Sequence, residues 1–243
     1  MKIVVCVKKT PDTETRVKIA GTSLDPSGVN YIMSPYDEFA MEAALQEEGA
    51  EVIVLSLGDA GCEKVLRTAL AMGATSAIHL KCDYPGLGDA RSVADALAGK
   101  IKELTPDLVL FGRQAIDSDG AIIPPLVAQK LGFGFVGFAT ELKIEGKKAM
   151  VGREIEGGKE RFALELPACI STNKGLNQPR YASLKGVMEA KKKPLETIDC
   201  TLAASPVTKL ELPPPRAAGK IVGEGADAVP ELVRLLHEEA KVI

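Results

Sequence analysis

The sequence predicts an α/β protein with a doubly wound parallel sheet, and three observations support this prediction. Short apolar runs recur at residues 3–7, 51–57, 76–80 and 108–111, as strands covered on both faces require. Segments with helical spacing of apolar residues separate these runs. Strands that alternate with helices in this way form parallel sheets with right-handed crossovers. Ligands are therefore expected at the carboxyl ends of the strands.

The elements of the first half can be assigned in order. Residues 8–33, which follow the first strand, form a long polar connection, and long loops in compact domains are often functional. Pro35 with the acidic residues behind it gives a helix start, and Gly73 suits a helix C-cap. A loop rich in Gly and Asp occupies residues 81–89. The predicted helices cover residues 34–49, 60–72, 90–104 and a segment that begins near Pro124 or Pro125.

The segment 108–132, LVLFGRQAIDSDGAIIPPLVAQKLG, predicts a buried strand, a polar loop and a helix at the ligand edge of the sheet. Residues 117–119 (Asp-Ser-Asp) suit the turn and the helix N-cap, and a proline fits the first helical turn. Phosphates at a helix N-terminus need free N–H groups and small polar side chains. Residues 121–123 offer no side-chain donor, and the two prolines remove two backbone donors. A nucleotide bound here would need its phosphates satisfied from elsewhere.

From about Thr140 the pattern changes to alternating apolar and polar residues around turns at 145–146 and 157–158, which indicates antiparallel strands. A buried strand at 168–172 and a short helix near 183–192 follow. The rest is a Pro-rich extended tail closed by a helix at 228–241. We therefore predict an α/β body at 1–193 and, at 194–243, an arm and helix that pack on a partner subunit.

Composition excludes several functions. The 243 residues are 46% hydrophobic with a net charge of −3, which gives a real core and no basic face for nucleic acid. The first residues predict a strand and not a signal peptide, and no apolar stretch is long enough to insert in a membrane, so we expect a cytoplasmic or matrix-like location. The five cysteines form no CxxC pair and only two histidines are present, so no metal spacing is evident. Neither a GxGxxG nor a GxxxxGK[ST] fingerprint occurs.

Several separated motifs point to a family. They are KIVVCVK, SPYDEFAMEAAL, RTALAMGA, LVLFGRQAIDSD, REIEGGKERFALELPACIS, NQPRYASLKGVMEAKKK and PPPRAAGKI. Together they resemble the β subunit of electron-transferring flavoproteins over essentially the whole chain. The resemblance implies a pseudo-Rossmann, adenine-nucleotide-hydrolase-like fold in a heterodimer whose α subunit holds most contacts to FAD. It also implies a chain that is no enzyme itself and that helps to carry electrons from flavin-containing dehydrogenases to a quinone reductase or ferredoxin-type acceptor.

The resemblance further implies a nucleotide pocket for AMP or, in the electron-bifurcating branch, for a second FAD. Its residues would be Cys6, Ser34, Pro35, Tyr36, Asp37, Leu57, Gly58, Ala115, Ile116, Asp117, Ser118, Asp119, Gly120, Ala121, Ile122 and Ile123. The chain departs from the family where phosphate is bound: Ser34 replaces an Asn, and the apolar residues 120–124 replace a polar run. Residues 87–90 keep the Asp of a bifurcating-branch motif and lose its hydroxyl. We therefore expect AMP binding to be weak or absent.

A second functional segment, residues 178–193, is similar to the loop by which such β subunits dock on dehydrogenases. Its docking residues would be Tyr181, Ala182, Ser183, Leu184 and Lys185, with Leu184 as the apolar anchor. Lys185 and the lysines at 191–193 would steer the encounter with an acidic rim. The competing interpretation is a short surface helix with solvated lysines.

Two other segments receive weaker assignments from the resemblance. Arg153 and residues 156–158 would belong to a sheet shared with the α subunit, and residues 10–15 are candidates to approach the flavin held there. Two alternatives to the simple electron carrier remain open. One is a bifurcating β subunit with its own FAD, and the other is a stand-alone adenine-nucleotide-binding regulatory domain.

Overall fold

The computed structural model describes residues 1–83, 89–203, 205–216 and 218–243. Its strands are β1 (Lys2–Cys6), β2 (Lys9–Pro11), β3 (Ile19–Ala20), β4 (Ser23–Leu24), β5 (Tyr31–Met33), β6 (Glu51–Gly58), β7 (Ser76–Lys81), β8 (Leu108–Gly112), β9 (Gly134–Glu145), β10 (Lys148–Ile155), β11 (Gly158–Glu165), β12 (Ala168–Thr172) and β13 (Leu195–Asp199). Its α-helices are α1 (Pro35–Gln46), α2 (Cys62–Met72), α3 (Ala90–Leu104), α4 (Ile123–Leu131), α5 (Leu184–Ala190) and α6 (Val229–Arg234). Part of the predicted 81–89 loop, with residues 87 and 88 of the bifurcating-branch comparison, lies outside the described ranges.

A nine-stranded sheet in the order β11-β10-β9-β12-β8-β1-β6-β7-β13 forms the centre of the main body. Strands β12, β8, β1, β6, β7 and β13 run parallel, and β10 pairs antiparallel with both β9 and β11. After β7 the chain returns through α3 to place β8 on the other side of β1. This reversal of strand order between β1 and β8 is where doubly wound sheets open a ligand crevice. The predicted fold class is therefore confirmed.

Continuous apolar runs explain why the central strands form. All residues of β8 and β12 are buried, and so are four of the five in β1. Helices cover both faces, since α1, α2 and α5 contribute to one core cluster while α3 and α4 contribute to the other. The predicted helix at 90–104 matches α3, whose Asp89 side chain accepts hydrogen bonds from the amides of Arg91 and Ser92.

Two parts of the sheet region were not predicted. Strand β9 begins at Gly134, before the expected change at Thr140, and its first half pairs in parallel with β12. Glycines at 134 and 137 weaken the alternation by which a strand is recognised. The predicted loop at 8–33 contains β2 paired with β5 and β3 paired with β4, both outside the main sheet.

The chain divides into two units, Met1–Leu210 and Glu211–Ile243. The predicted division at 193/194 stays a prediction, and β13, which follows it, pairs with β7 in the main sheet. In the second unit the predicted helix at 228–241 is a 3-10 turn (Ala226–Ala228), then α6, then a π-helical turn (Leu235–Glu239). The packing of this unit on a partner stays a prediction.

Candidate functional site

A cavity of ≈ 290 Å³ opens at the carboxyl ends of β1, β6 and β8, beside the reversal of strand order. Its lining is Cys6, Val7, Lys8, Asp37, Leu55, Leu57, Ala90, Val93, Leu97, Phe111, Gly112, Gln114, Ala115, Ser118, Gly120, Ala121, Ile122, Ile123 and Pro124. Most of these side chains are apolar, and the polar ones come from the ends of β1 and β8, the start of α1 and the loop after β8. The cavity thus has the position and the size of a small-ligand site.

Asp37 is the buried polar group of this cavity. Its two oxygens accept hydrogen bonds from the amides of Lys8 (2.7 Å) and Gly112 (3.1 Å), so the first turn of α1 is tied to the ends of β1 and β8. Burial raises the pKa of Asp37 to about 7, although these two hydrogen bonds favour the carboxylate. Gly112 must be glycine, because a Cβ there would lie 2.6 Å from the carbonyl carbon of Tyr36.

The loop after β8 is held by its own side chains. Asp117 accepts an ion-pair contact from Lys8 Nζ at 2.8 Å, and Asp119 accepts a hydrogen bond from Gln114 Nε2 at 2.7 Å. The prediction that residues 117–119 cap the next helix is therefore wrong, because these carboxylates have other partners. Helix α4 begins at Ile123 with Ile122 in the N-cap position and no side-chain cap. Prolines do occupy its first turn, as predicted.

The residues at this helix start do not fit a nucleotide phosphate. Ile122, Ile123 and Pro124 line the cavity there, and Pro124 and Pro125 supply no amide hydrogen. The Lys8 ammonium does reach the cavity, but Asp117 accepts from it and offsets its charge. Among the other polar side chains of the lining, Gln114 donates to Asp119, and the side chains at the helix start itself are apolar.

The structure brings together nine of the predicted pocket residues as cavity lining, namely Cys6, Asp37, Leu57, Ala115, Ser118, Gly120, Ala121, Ile122 and Ile123. Ser34, Pro35, Tyr36, Gly58, Ile116, Asp117 and Asp119 do not contribute to that lining. Sequence reasoning missed Lys8, Leu55, Gln114 and the α3 wall. Alternation with Leu57 along β6 could have indicated Leu55, and the apolar stripe of α3 could have indicated its wall.

Tyr36 takes part in a second arrangement at the same edge of the sheet. The Arg113 guanidinium lies over two rings, 5.9 Å from the centroid of Tyr36 and 5.0 Å from that of Phe138. Phe138 has a φ of 63°, and its amide donates to Ser171 Oγ at 3.1 Å. In the small β2–β5 sheet Thr10 is fully buried, so within the predicted 10–15 segment this side chain is not exposed to a partner.

The predicted docking segment presents an exposed apolar surface. Tyr181 is 98% exposed, Leu184 87% and Met188 71%, with Val187 beside them at 46%. These four residues are called the docking surface below. Helical spacing places Leu184, Val187 and Met188 on one side of α5, Tyr181 precedes the helix, and Ala190 on the other side is buried in the core. Large apolar side chains this exposed are uncommon in clusters on a monomer.

Helix α5 is fixed to the body on its inner side. Gly186 lies so close to the carbonyl oxygen of Ala71 in α2 that a Cβ would collide with it. Arg67 donates to the carbonyl of Ala190 at 2.9 Å. Lys193 donates to the carbonyls of Leu70 (3.0 Å) and Ala74 (2.7 Å), at the end of α2. The expectation that Lys193 steers a partner is thus wrong, because its ammonium caps a neighbouring helix.

The irregular segment between β12 and α5 is fixed by an ion pair. Arg180 donates through Nε and Nη2 to the two oxygens of Glu42 in α1, at 2.7 and 2.9 Å. Burial opposes ionisation of Glu42, but the hydrogen bonds from Arg180 outweigh it and lower the pKa of this carboxyl. Asn177 donates to the carbonyl of Phe39 at 3.0 Å. The docking surface is therefore presented by a rigid support.

The part of the chain that the structure describes shows neither a metal-binding cluster nor a membrane-spanning helix. No cluster of three or more His, Cys, Asp or Glu side chains there is placed to hold a metal ion. Within the same ranges no helix combines the length and the apolar character needed to cross a membrane.

Fold and cavity define a Rossmann-like α/β protein with its ligand crevice at the reversal of strand order. Residues 22–203 match the family model described as the electron transfer flavoprotein domain. The chain is 40% identical to the electron transfer flavoprotein subunit beta of Syntrophomonas wolfei, over 100% of this chain and 98% of the relative. It is 39% identical to the human electron transfer flavoprotein subunit beta, over 96% of both chains. It is 38% identical to the caffeyl-CoA reductase-Etf complex subunit CarD of Acetobacterium woodii, over 91% of this chain and 92% of the relative. The chain belongs to the electron transfer flavoprotein family, as a β subunit.

Proposed function

We propose that this β subunit works in a heterodimer, in which it shapes the FAD site of an α subunit and docks the dehydrogenase that delivers electrons. A downstream quinone reductase or ferredoxin-type protein accepts them. The chain performs no bond-making chemistry of its own. The observation that carries the proposal is the docking surface, an exposed apolar cluster on a rigidly supported helix, together with family membership.

The physical reasoning starts from Leu184. An exposed apolar side chain at the centre of a small contact gives affinity when it is desolvated in a partner pocket. A partner docked through a single anchor and an electrostatically complementary rim associates fast and leaves fast, as electron exchange requires. The rigid support from Glu42, Asn177 and α2 removes the entropic cost of ordering the loop at each encounter.

The test is electron transfer from the cognate dehydrogenase to the heterodimer. Leu184→Ala is expected to lower the rate about tenfold or more at low partner concentration, since an anchor residue contributes about 2 kcal/mol. Flavin content should not change, because Leu184 is exposed and does not line the cavity. Val17→Ala, which shortens another exposed aliphatic residue, is the matched control. Equal rates for Leu184→Ala and the parent protein would reject the docking role.

The cofactor inventory follows from the cavity. We infer that the α subunit holds one FAD and that the β cavity holds neither AMP nor a second FAD, because the helix start at Ile123 offers no side-chain donor to a phosphate and its two prolines remove two amide donors. Acid extraction of the copurified heterodimer should therefore release one FAD and no AMP. One AMP per heterodimer would mean that other donors compensate.

The electron-bifurcating β subunit is the second candidate, favoured by the similarity to the subunit of the caffeyl-CoA reductase-Etf complex. The apolar residues 121–124 argue against a second FAD diphosphate in this cavity. Two FAD per heterodimer in the same extraction would establish this candidate. A stand-alone regulatory domain is disfavoured, because it would leave the docking surface uncovered.

A further inference from the structure

Two cysteines lie side by side at the β13 edge of the main sheet. Strands β7 and β13 are paired in parallel as far as Lys81 and Asp199, and a cysteine follows each of them. The ladder continues past these ends, since the amide of Cys200 donates to the carbonyl of Lys81 at 2.8 Å. The amide of Cys82 donates to the carbonyl of Gly58 at 3.0 Å, so Cys82 also remains within the sheet. Neither residue contributes to the cavity or to the docking surface.

The spacing of the two chains suits a disulfide. Neighbouring strands are about 4.8 Å apart, and disulfides join Cα atoms about 4.4–6.8 Å apart. The register of β7 with β13 pairs Lys81 with Asp199, so the next residues along the two strands, Cys82 and Cys200, stand opposite each other. Burial first, and then the neighbouring Cys200 sulfur, raise the pKa of Cys82 to about 12, so Cys82 keeps its proton while the pair is reduced.

We propose that Cys82 and Cys200 are a redox modification site that forms a reversible intrachain disulfide. The oxidant is a low-molecular-weight disulfide. The Cys200 sulfur, after giving its proton to solvent, attacks one sulfur of that disulfide and releases the first small thiol. The Cys82 sulfur loses its proton and displaces the second small thiol from the mixed disulfide. The protein loses two protons and two electrons, and the small disulfide gains both.

Exposure distinguishes Cys200 from the other four cysteines, and Cys82, although buried, lies beside it on the neighbouring strand. Cys6, Cys62 and Cys169 are buried, and the thiol of Cys62 donates to the carbonyl of Leu57 at 3.8 Å. Of the five cysteines only Cys200 is partly exposed, so it is the one that a dissolved disulfide reaches first. Buried thiols without access are inert.

The link would act on one wall of the cavity. Beyond Cys200 the chain lies against the start of α3, where Ser92 Oγ donates to the carbonyl of Ala203 at 2.8 Å. Helix α3 supplies Ala90, Val93 and Leu97 to the cavity lining. A disulfide joins β13 covalently to β7 and so holds the segment that follows against α3. An otherwise open edge strand becomes locked.

The experiment treats the purified full chain, with any subunit that copurifies, with oxidised glutathione under native conditions. Intact mass under denaturing, non-reducing conditions is expected to fall by about 2 Da, and dithiothreitol should restore it. Peptide mapping should give a single Cys82–Cys200 link. Cys62→Ser is the matched control and should still lose this mass. Cys82→Ser should instead gain one glutathione, on Cys200.

Three results of this experiment would overturn the disulfide proposal. No loss of mass in the parent protein, or a link that involves Cys62, would overturn the proposal. So would an equal loss of mass in Cys200→Ser. Because mapping of the parent protein decides the question, a variant that fails to fold does not obscure it. Hydrogen exchange tests the consequence: amides of β13 should exchange severalfold more slowly after oxidation, and equal exchange would refute the locked edge.

Discussion

Replacing Arg180 with alanine removes two charge-assisted hydrogen bonds from the Glu42 carboxylate. Glu42 is 6% exposed at its side chain and Arg180 is 44% exposed. The carboxylate keeps two weaker partners, the amide of residue 180 at 3.2 Å and Gln46 Nε2 at 3.1 Å. The substitution therefore leaves the buried Glu42 carboxylate with only these two weaker hydrogen bonds.

The loss of stability expected for Arg180→Ala lies between two limits. Two hydrogen bonds to a buried charged group contribute about 3–6 kcal/mol, at about 1.5–3 each. A solvent-exposed ion pair contributes at most about 1 kcal/mol. Because the guanidinium is nearly half exposed and solvent competes for it, we expect a loss of about 2–3 kcal/mol in the free energy of unfolding.

The sign of the pH dependence is fixed by Glu42. Its folded-state pKa is lowered, so its contribution to stability is present above the unfolded pKa, about 4.3, and is lost as pH falls through the folded value. The cost of Arg180→Ala should therefore be full at pH 7 and should shrink below about pH 4. Urea unfolding at the two pH values measures this.

A double-mutant cycle with Glu42→Gln isolates the pair, and Arg161→Ala is the control. Arg161 is 75% exposed and faces Glu141 at 3.2 Å, so its loss should cost less than about 1 kcal/mol. A coupling energy below about 0.5 kcal/mol between Arg180 and Glu42 would refute the reasoning. Arg180→Ala should also slow electron transfer from the dehydrogenase although Leu184 is intact, because it loosens the segment that supports the docking surface.

The remaining predictions concern the base of the cavity. Gly112→Ala should cost about 2–4 kcal/mol in chemical denaturation, because its Cβ would meet the backbone of the first turn of α1. Gly99→Ala, in the middle of α3 with open space around it, should instead stabilise by about 0.5–1 kcal/mol, and equal effects of the two variants would contradict this account. Asp37 has a raised folded pKa, so the folded state binds its proton more tightly and stability should fall as pH rises from about 4 to about 7. Asp37→Asn should flatten that slope, and an unchanged slope would assign it to other groups.

Local patterns were sufficient where burial is continuous. Strands β1, β8 and β12 are largely buried on both faces, so their sequences are mostly apolar and were predicted, with Ser171 and Thr172 as buried polar residues at the end of β12. Strand β13 was missed because it lies at the edge and is mostly exposed. Its only signal is pairing with β7, more than a hundred residues earlier, and no window of sequence contains that contact.

The position of the site could be predicted from the sequence, but the contacts between its side chains could not. The rule for parallel sheets placed it at the loop after β8, which does line the cavity. The partners of that loop could not be predicted, since Asp117 pairs with Lys8, distant in sequence, and is unavailable as a helix cap. For the same reason Lys193 was assigned to a steering role. Tertiary contacts decide which partner a charged side chain near a helix end binds, and the local sequence does not reveal those contacts.

The same contacts give the cavity a property of its own. Lys8 holds Asp117, and Gln114 holds Asp119, so the loop before α4 is fixed by the chain itself without a phosphate. The subunit should then fold without nucleotide. A ligand at 100 times its dissociation constant stabilises the folded state by about 2.7 kcal/mol, which raises Tm by several degrees in a protein of this size. With millimolar AMP, Tm of the heterodimer should stay unchanged, and calorimetry should find no micromolar binding. A rise of several degrees would show that backbone amides and Lys8 together replace the missing donors, and the apolar loop would then select for the adenosine moiety.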